Sequence, residues 1–339
     1  MTRRQVLSAA LAGAAAAGLA GCARSSEGAG PTYRATTYIP PSYDDLYPGI
    51  EMFMETATNR SAGELSFEMF DSGTLLSAEQ LLPGLQMDVT DVTFQTSSYV
   101  TSTYPIFGAM QLPFHTNDFE KSRRAVDVDG PLFALTNEWL AGQNVRILGG
   151  MPTDFEYVWT LGAPVRRPED LAGMRIRVAG EIEGATVKAL GGAPVFMGSS
   201  EVYEALERGT IDGMISYPGT IVSRDLQQIV RYGTAAKFGQ YTVDAYCRKD
   251  WYDGLPAVAR QALDSAGRRI YTDGTAAMVE VHERDYLPAI TDAGVELVEL
   301  SERELADFRR AVEPVYGHWR SMLGDAGLAA RAAELIGRA

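Results

Sequence analysis

The chain has 339 residues, 46% of them hydrophobic, with 44 acidic against 30 basic side chains and a formal charge of −14. Such an acidic surface excludes nucleic acid and anionic lipid as electrostatic partners, and the length and apolar content suit two cored domains. The chain carries two cysteines, Cys22 and Cys247; with Cys22 committed to the N-terminal signal described next, no internal disulfide is expected.

The first element in chain order reads as an export signal. Arg3 and Arg4 are followed by Gln5-Val6-Leu7 and an Ala-rich apolar stretch that reaches Ala20, with small residues leading to Cys22. A basic start, a short apolar middle and small residues before a cut site make a secretory signal. The stretch is too short and Ala-rich to span a bilayer, which takes about 20 strongly apolar residues. The paired arginines resemble the twin-arginine export signal. Leu19-Ala20-Gly21-Cys22 resembles the bacterial lipobox, in which the cysteine receives a diacylglycerol and becomes the mature N-terminus. Loss of residues 1–21 would make the chain two charges more negative. Residues 22–31, small and polar after the cysteine, read as a lipid-anchored tether. The expected location is the outer face of the cytoplasmic membrane or the periplasm.

From Tyr33 onward strand-like and helix-like stretches alternate, which predicts an α/β architecture with largely parallel sheets. Strands are expected over Leu65–Phe70, Val89–Gln95, Val145–Gly149, Arg175–Val178 and Ile211–Ser216. Helices are expected over Tyr47–Thr58, Ala78–Gln86, Gly184–Leu190 and Ser200–Glu207, the last with a serine cap. The tail from Glu302 to Ile336 has helical spacing, broken near Pro314 and Gly324.

Nothing in the chain spells out an enzyme. His115, His282 and His318 are far apart, and no nucleophile elbow, zinc helix, phosphate loop or dinucleotide fingerprint occurs. His282-Glu283-Arg284-Asp285 lacks a second histidine and reads as a solvated helix face. Cys247, within the strand-like Thr242–Arg248, reads as a small buried hydrophobe. No catalytic residue, cofactor or metal is expected.

The informative stretch is 168–218. In Met174-Arg175-Ile176-Arg177-Val178 the period of two places both arginines on one face of a strand. On a covered sheet a guanidinium needs an anionic partner. Spacing alone leaves two readings open: a structural ion pair or wet edge, or a cleft-facing arginine that takes a ligand carboxylate in a bidentate pair.

Gly173-Met174-Arg175-Ile176-Arg177-Val178, Leu190-Gly191-Gly192-Ala193-Pro194, Ser200-Glu201-Val202-Tyr203-Glu204-Ala205-Leu206 and Ile211-Asp212-Gly213 resemble, in order and spacing, the central signature of the DctP-type solute receptors. These serve tripartite ATP-independent periplasmic (TRAP) transporters. Supporting fragments such as Leu112-Pro113-Phe114 and Trp251-Tyr252-Asp253-Gly254-Leu255-Pro256 extend the likeness over residues 33–320.

The resemblance implies a two-lobed, periplasmic-binding-protein-like receptor that closes over a small carboxylate and presents it to a TRAP-type permease. It implies lobe 1 from 32–154 and 243–282, lobe 2 from 155–242 and 283–310, and helices over 311–339 packing across both. The family's carboxylate-binding arginine falls on Arg177. A second arginine of sialic-acid-type members falls on Tyr157, and an asparagine falls on Tyr217. Other ligand-contact positions fall on Ile39, Thr96, Tyr99 and Ser199. One arginine among tyrosines suits a monocarboxylate with an aromatic or branched body. Asp154, Glu156, Glu181 and Glu183 lie nearby in sequence, either as surface or as receivers of an amine on a zwitterion. Two other roles share this architecture: an exported ligand-sensing receptor, and a receptor-fold enzyme acting on a small carboxylate.

Overall fold

The computed structural model describes residues 31–337. The signal over 1–21, the lipidation site Cys22 and all of the tether but Pro31 lie outside the described residues.

Eleven strands are found among the described residues. They are β1 (Thr32–Thr37), β2 (Ser66–Phe70), β3 (Val92–Thr96), β4 (Val145–Pro152), β5 (Tyr157–Thr160), β6 (Arg175–Val178), β7 (Ala193–Phe196), β8 (Gly213–Ser216), β9 (Tyr232–Thr234), β10 (Thr242–Arg248) and β11 (Glu296–Val298). They form a five-stranded sheet in the order β2-β1-β3-β10-β4 and a six-stranded sheet in the order β11-β9-β5-β8-β6-β7. Each sheet is the centre of one lobe.

Each sheet is largely parallel, as expected, with one reversed strand. β10 runs antiparallel to both β3 and β4, and β5 antiparallel to both β8 and β9. The reason is the route of the chain. The other strands carry their C-terminal ends toward the cleft between the sheets, and the chain crosses that cleft over 153–156 and again over 235–241. A strand entering a sheet from the cleft side must run away from it, so β5 and β10 oppose their neighbours. The two crossings pair with each other: Thr153 N–H donates to the Tyr241 carbonyl at 2.9 Å, Glu156 N–H to Gly239 at 2.9 Å, and Phe238 N–H to Glu156 at 3.0 Å.

One face of the five-stranded sheet packs Ala35, Phe94, Val243 and Cys247 against the helices Tyr47–Arg60 and Ala257–Arg269. Cys247 is fully buried there, as its strand context suggested. The far face of the six-stranded sheet buries Trp159, whose Nε1–H donates to the Ser216 carbonyl at 2.9 Å. A third core lies between the sheets, where Ile147 and Tyr246 meet Ile176, Val178 and the tail. Helices Glu302–Ala311, Glu313–Leu323 and Ala326–Leu335 break at Val312 and at the left-handed Gly324. Trp319 Nε1–H donates to Pro105 and Tyr316 Oη–H to Pro113, while His318 meets Glu181 at 2.9 Å.

A helical run over 257–292 contains two wider π turns, Ile270–Gly274 and His282–Tyr286. The second turn points His282 inward, so it is 4% exposed and lies 3.2 Å from Asp154 rather than on a solvated face. The expected serine cap near Ser200 also differs. Glu201 accepts from the Gly198 N–H at 3.1 Å, and the Ser199 hydroxyl is engaged elsewhere.

Candidate functional site

Loops that follow β1, β3, β6, β7 and β8 meet at the carboxyl ends of their strands, where ligands sit in open α/β sheets. They line a small cavity with residues from both lobes. Arg177 forms its charged wall. It is 2% exposed, and its Nε–H and Nη2–H donate to the Met197 carbonyl at 3.1 and 3.0 Å. Nη2 also donates to the Tyr99 hydroxyl at 2.8 Å, across the cleft. Among the described residues no carboxylate pairs with it at ion-pair distance. A buried guanidinium held only by neutral acceptors keeps donor capacity for an anion.

Arg175, two residues earlier on the same face, is solvent-exposed and forms the structural ion pair: its Nε–H and Nη2–H grip Asp212 at 3.0 and 2.8 Å. Asp212 also accepts the Arg175 backbone N–H at 2.8 Å. The next residue, Gly213, lies so close to the Trp159 carbonyl that a Cβ would collide with it. The Asp212-Gly213 pair of the signature is thus explained by packing of β6, β8 and β5; Arg175 forms a structural ion pair, whereas Arg177 faces the cleft.

The remaining wall is aromatic. Tyr38, Tyr43, Tyr99, Tyr217 and Tyr241 all line the cavity, with Tyr38 edge-on to Tyr99 at 5.2 Å and Tyr217 edge-on to Tyr241 at 5.6 Å. The Tyr38 hydroxyl bonds the Thr96 hydroxyl. Tyr217 donates to buried Asp45 at 2.7 Å from the opposite lobe. Burial pushes the Asp45 carboxyl up to about 6, against the lowering effect of that phenol. The Tyr217 ring also stacks on His282 at 6.3 Å.

Glu156 lines the same cavity and is 2% exposed. Its Oε1 has no hydrogen-bond partner among the described residues. Burial, with Glu183 beside it, pushes its carboxyl well above the usual range. Glu183 is raised too by burial, but Arg177 opposes the shift and its Oε2 accepts the Ala179 N–H at 2.6 Å. Two buried carboxyls in one site do not both ionise easily, and Glu183 is the better placed to hold the charge.

Of the residues expected at the site, Arg177, Tyr217, Tyr99, Thr96 and Ser199 come together here. Ile39 and Tyr157 do not. Ile39 is fully buried in the core of the five-stranded lobe, and Tyr157 stacks on Trp159 at 5.5 Å. In both cases the preceding residue, Tyr38 or Glu156, reaches the cavity instead. In extended chain neighbouring side chains take opposite faces, so a one-residue offset exchanges wall for core.

Arg224 was not indicated by any motif. It stands at the mouth, where an adjoining open pocket shares Tyr38 and Ser199 with the inner cavity. Its Nε–H donates to the Tyr43 hydroxyl at 3.2 Å and its Nη2–H to the Ser199 hydroxyl at 3.1 Å, and it lies 5.1 Å from the Tyr43 ring centre. One guanidinium therefore lies in the inner cavity and a second at its rim.

Among the described residues no group of three or more metal-type side chains comes together, and no helix is long and apolar enough to cross a membrane.

The model of the DctP family, bacterial extracellular solute-binding protein family 7, matches residues 37–321. The chain is 24% identical over 285 residues to the C4-dicarboxylate-binding periplasmic protein DctP of Rhodobacter capsulatus, covering 83% of this chain and 84% of that one. It is 23% identical over 272 residues to the 2,3-diketo-L-gulonate-binding periplasmic protein YiaO of Escherichia coli, covering 80% and 82%. Among solved structures, a TRAP periplasmic solute-binding protein from Sulfitobacter with bound β-D-galacturonate superposes with a TM-score of 0.81 at 22% identity. DctP7 of Bordetella pertussis, a receptor binding pyroglutamic acid, gives 0.82 at 21%. Each covers 90% of this chain and 99% of its own, so the two-lobed fold is shared over nine-tenths of this chain.

Proposed function

The chain belongs to family 7 of the bacterial extracellular solute-binding proteins, the DctP family, and from that membership we propose that it captures a small organic carboxylate on Arg177, closes its lobes over it and delivers it to a TRAP-type permease. The relatives it matches bind solutes and are not enzymes. The solutes in the four names above are organic acids.

The observation that carries this reading is the buried Arg177 guanidinium, without a carboxylate partner among the described residues, on the wall of a cavity to which both lobes contribute. A ligand carboxylate replaces the weak neutral acceptors with a charge-assisted, forked pair. Because Tyr99, Tyr38 and Thr96 come from one lobe and Arg177, Ser199 and Tyr217 from the other, contacts to a ligand favour the shut state, which is how hinge closure is driven.

The ligand is a monocarboxylate with an aromatic or branched apolar body. Five tyrosines offer flat faces, and among the described residues lining the inner cavity Arg177 is the sole guanidinium or ammonium, so a second carboxylate finds no cation there. Export by the twin-arginine-like signal and a lipid on Cys22 hold the receptor near its permease, on a tether that spans at most about 30 Å at about 3.3 Å per residue.

Mass spectrometry of the small molecule released from purified protein tests the ligand class. A monocarboxylic acid is expected. A neutral sugar or a dicarboxylate would contradict the assignment.

A further inference from the structure

We propose that the Arg177 cavity is built for a zwitterion, with the ligand carboxylate on Arg177 and a cationic nitrogen on Glu156, flanked by tyrosine faces. This rests on the carboxylate-receptor reading of Arg177 and narrows it to amino-acid-like ligands.

Three observations carry it. Glu156 is held in place by its backbone, which exchanges hydrogen bonds with Gly239 and Phe238 on the other crossing segment, so its side chain is aimed by the hinge itself. That side chain is 2% exposed, lines the cavity and leaves Oε1 without a partner among the described residues. A buried carboxyl oxygen without a donor is costly, and the large majority of buried polar atoms are paired. The Glu156 carboxyl shares a hydrogen bond with Glu183, but a ligand that brings only a carboxylate serves Arg177 and leaves Glu156 Oε1 unserved; an ammonium or iminium N–H serves it directly.

The tyrosines add the second half of a cation site. A cation over an aromatic face gains about 0.5–2 kcal/mol depending on desolvation, and Tyr38, Tyr99, Tyr217 and Tyr241 enclose the space beside Glu156. Burial and Glu183 hold the Glu156 carboxyl well above its usual range. A cation at contact distance reverses that, as nearby opposite charge favours the ionised form.

Matched ligand sets decide between this and a plain carboxylate site. Calorimetric titration would compare L-phenylalanine, 3-phenyllactate and 3-phenylpropanoate, then L-leucine, 2-hydroxy-4-methylpentanoate and 4-methylpentanoate, then L-proline and cyclopentanecarboxylate. In at least one set the amino acid should bind ten-fold or more tighter than every other acid of that set. Glu156→Gln should remove most of that difference. Equal or tighter binding of the unsubstituted or hydroxy acids by the unaltered protein would overturn the proposal and leave the carboxylate reading standing. Zwitterion affinity unchanged by Glu156→Gln would also overturn it. Binding of none of these acids would remove the monocarboxylate reading on which it rests, and the proposal with it. The comparison within each set uses the unaltered protein, so the test survives a poorly folding variant.

Discussion

Gly180 and Ser98 face each other across the cleft so closely that a methyl group on Gly180 would collide with the Ser98 carbonyl oxygen. Gly180 precedes the helix Glu181–Ala189 of one lobe, and Ser98 follows β3 of the other. The Glu181 N–H donates to the Thr101 hydroxyl at 3.2 Å beside them. Gly180 has φ −144, which any residue adopts, so the small residue is needed for the approach of the lobes and not for the backbone. Gly180→Ala should therefore fold normally yet close poorly. We expect at least ten-fold weaker ligand binding by calorimetry, an unchanged melting temperature without ligand, and small-angle scattering that stays at the open dimensions when ligand is added.

Arg224 ties the lobes at the mouth through Tyr43 and Ser199. Hydrogen bonds from charged groups contribute about 1.5–3 kcal/mol when formed, and part of this is available only in the shut state. Arg224→Ala should speed ligand release by roughly ten-fold with a smaller effect on association. Stopped-flow tyrosine fluorescence checks it; an unchanged dissociation rate would remove Arg224 from the closure.

Asp244 on β10, which does not line the Arg177 cavity, accepts from the Thr242 and Tyr246 hydroxyls at 2.6 and 2.8 Å, and burial pushes its carboxyl up to about 7. The folded protein thus holds this proton more tightly than the unfolded chain, whose carboxyl titrates near 3.8. Its stabilising contribution is complete below about pH 4 and is lost as pH rises to 7. Asp244→Asn should remove this slope, gaining on the unaltered protein by on the order of 3–4 kcal/mol between those limits. Urea unfolding at pH 4 and pH 7 reads the difference.

Much of this arrangement is legible in the residues. The period of two in Arg175–Val178 matches β6, and the alternating elements give a two-sheet α/β fold. What the pattern does not carry is direction. Placing Ile39 and Tyr157 at the site by likeness of position misses that their neighbours Tyr38 and Glu156 point inward, because facing alternates residue by residue and the chain leaves β1 and enters β5 at those points. Arg224 follows a short helix, Pro218–Ser223, with no motif of its own, and only the folded chain brings it to Tyr43. The inward turn of His282 depends on a π turn that periodicity near 3.6 does not announce. The antiparallel β5 and β10 follow from the crossings of the cleft, which a strand-by-strand reading does not see.

The proposed lipid on Cys22 is tested by fractionation. Cys22→Ser should shift the protein from membranes to the soluble exported fraction and leave ligand affinity within two-fold, since the cleft is built from residues 38–241.

Calorimetric titration of Arg177→Lys beside the unaltered protein, with the carboxylate found to bind, is the most direct test of the receptor reading. Lysine keeps the charge but loses the planar fork, so affinity should fall by a hundred-fold or more while the melting temperature without ligand changes little. Affinity within three-fold of the unaltered protein would contradict the assignment of Arg177 as the carboxylate anchor.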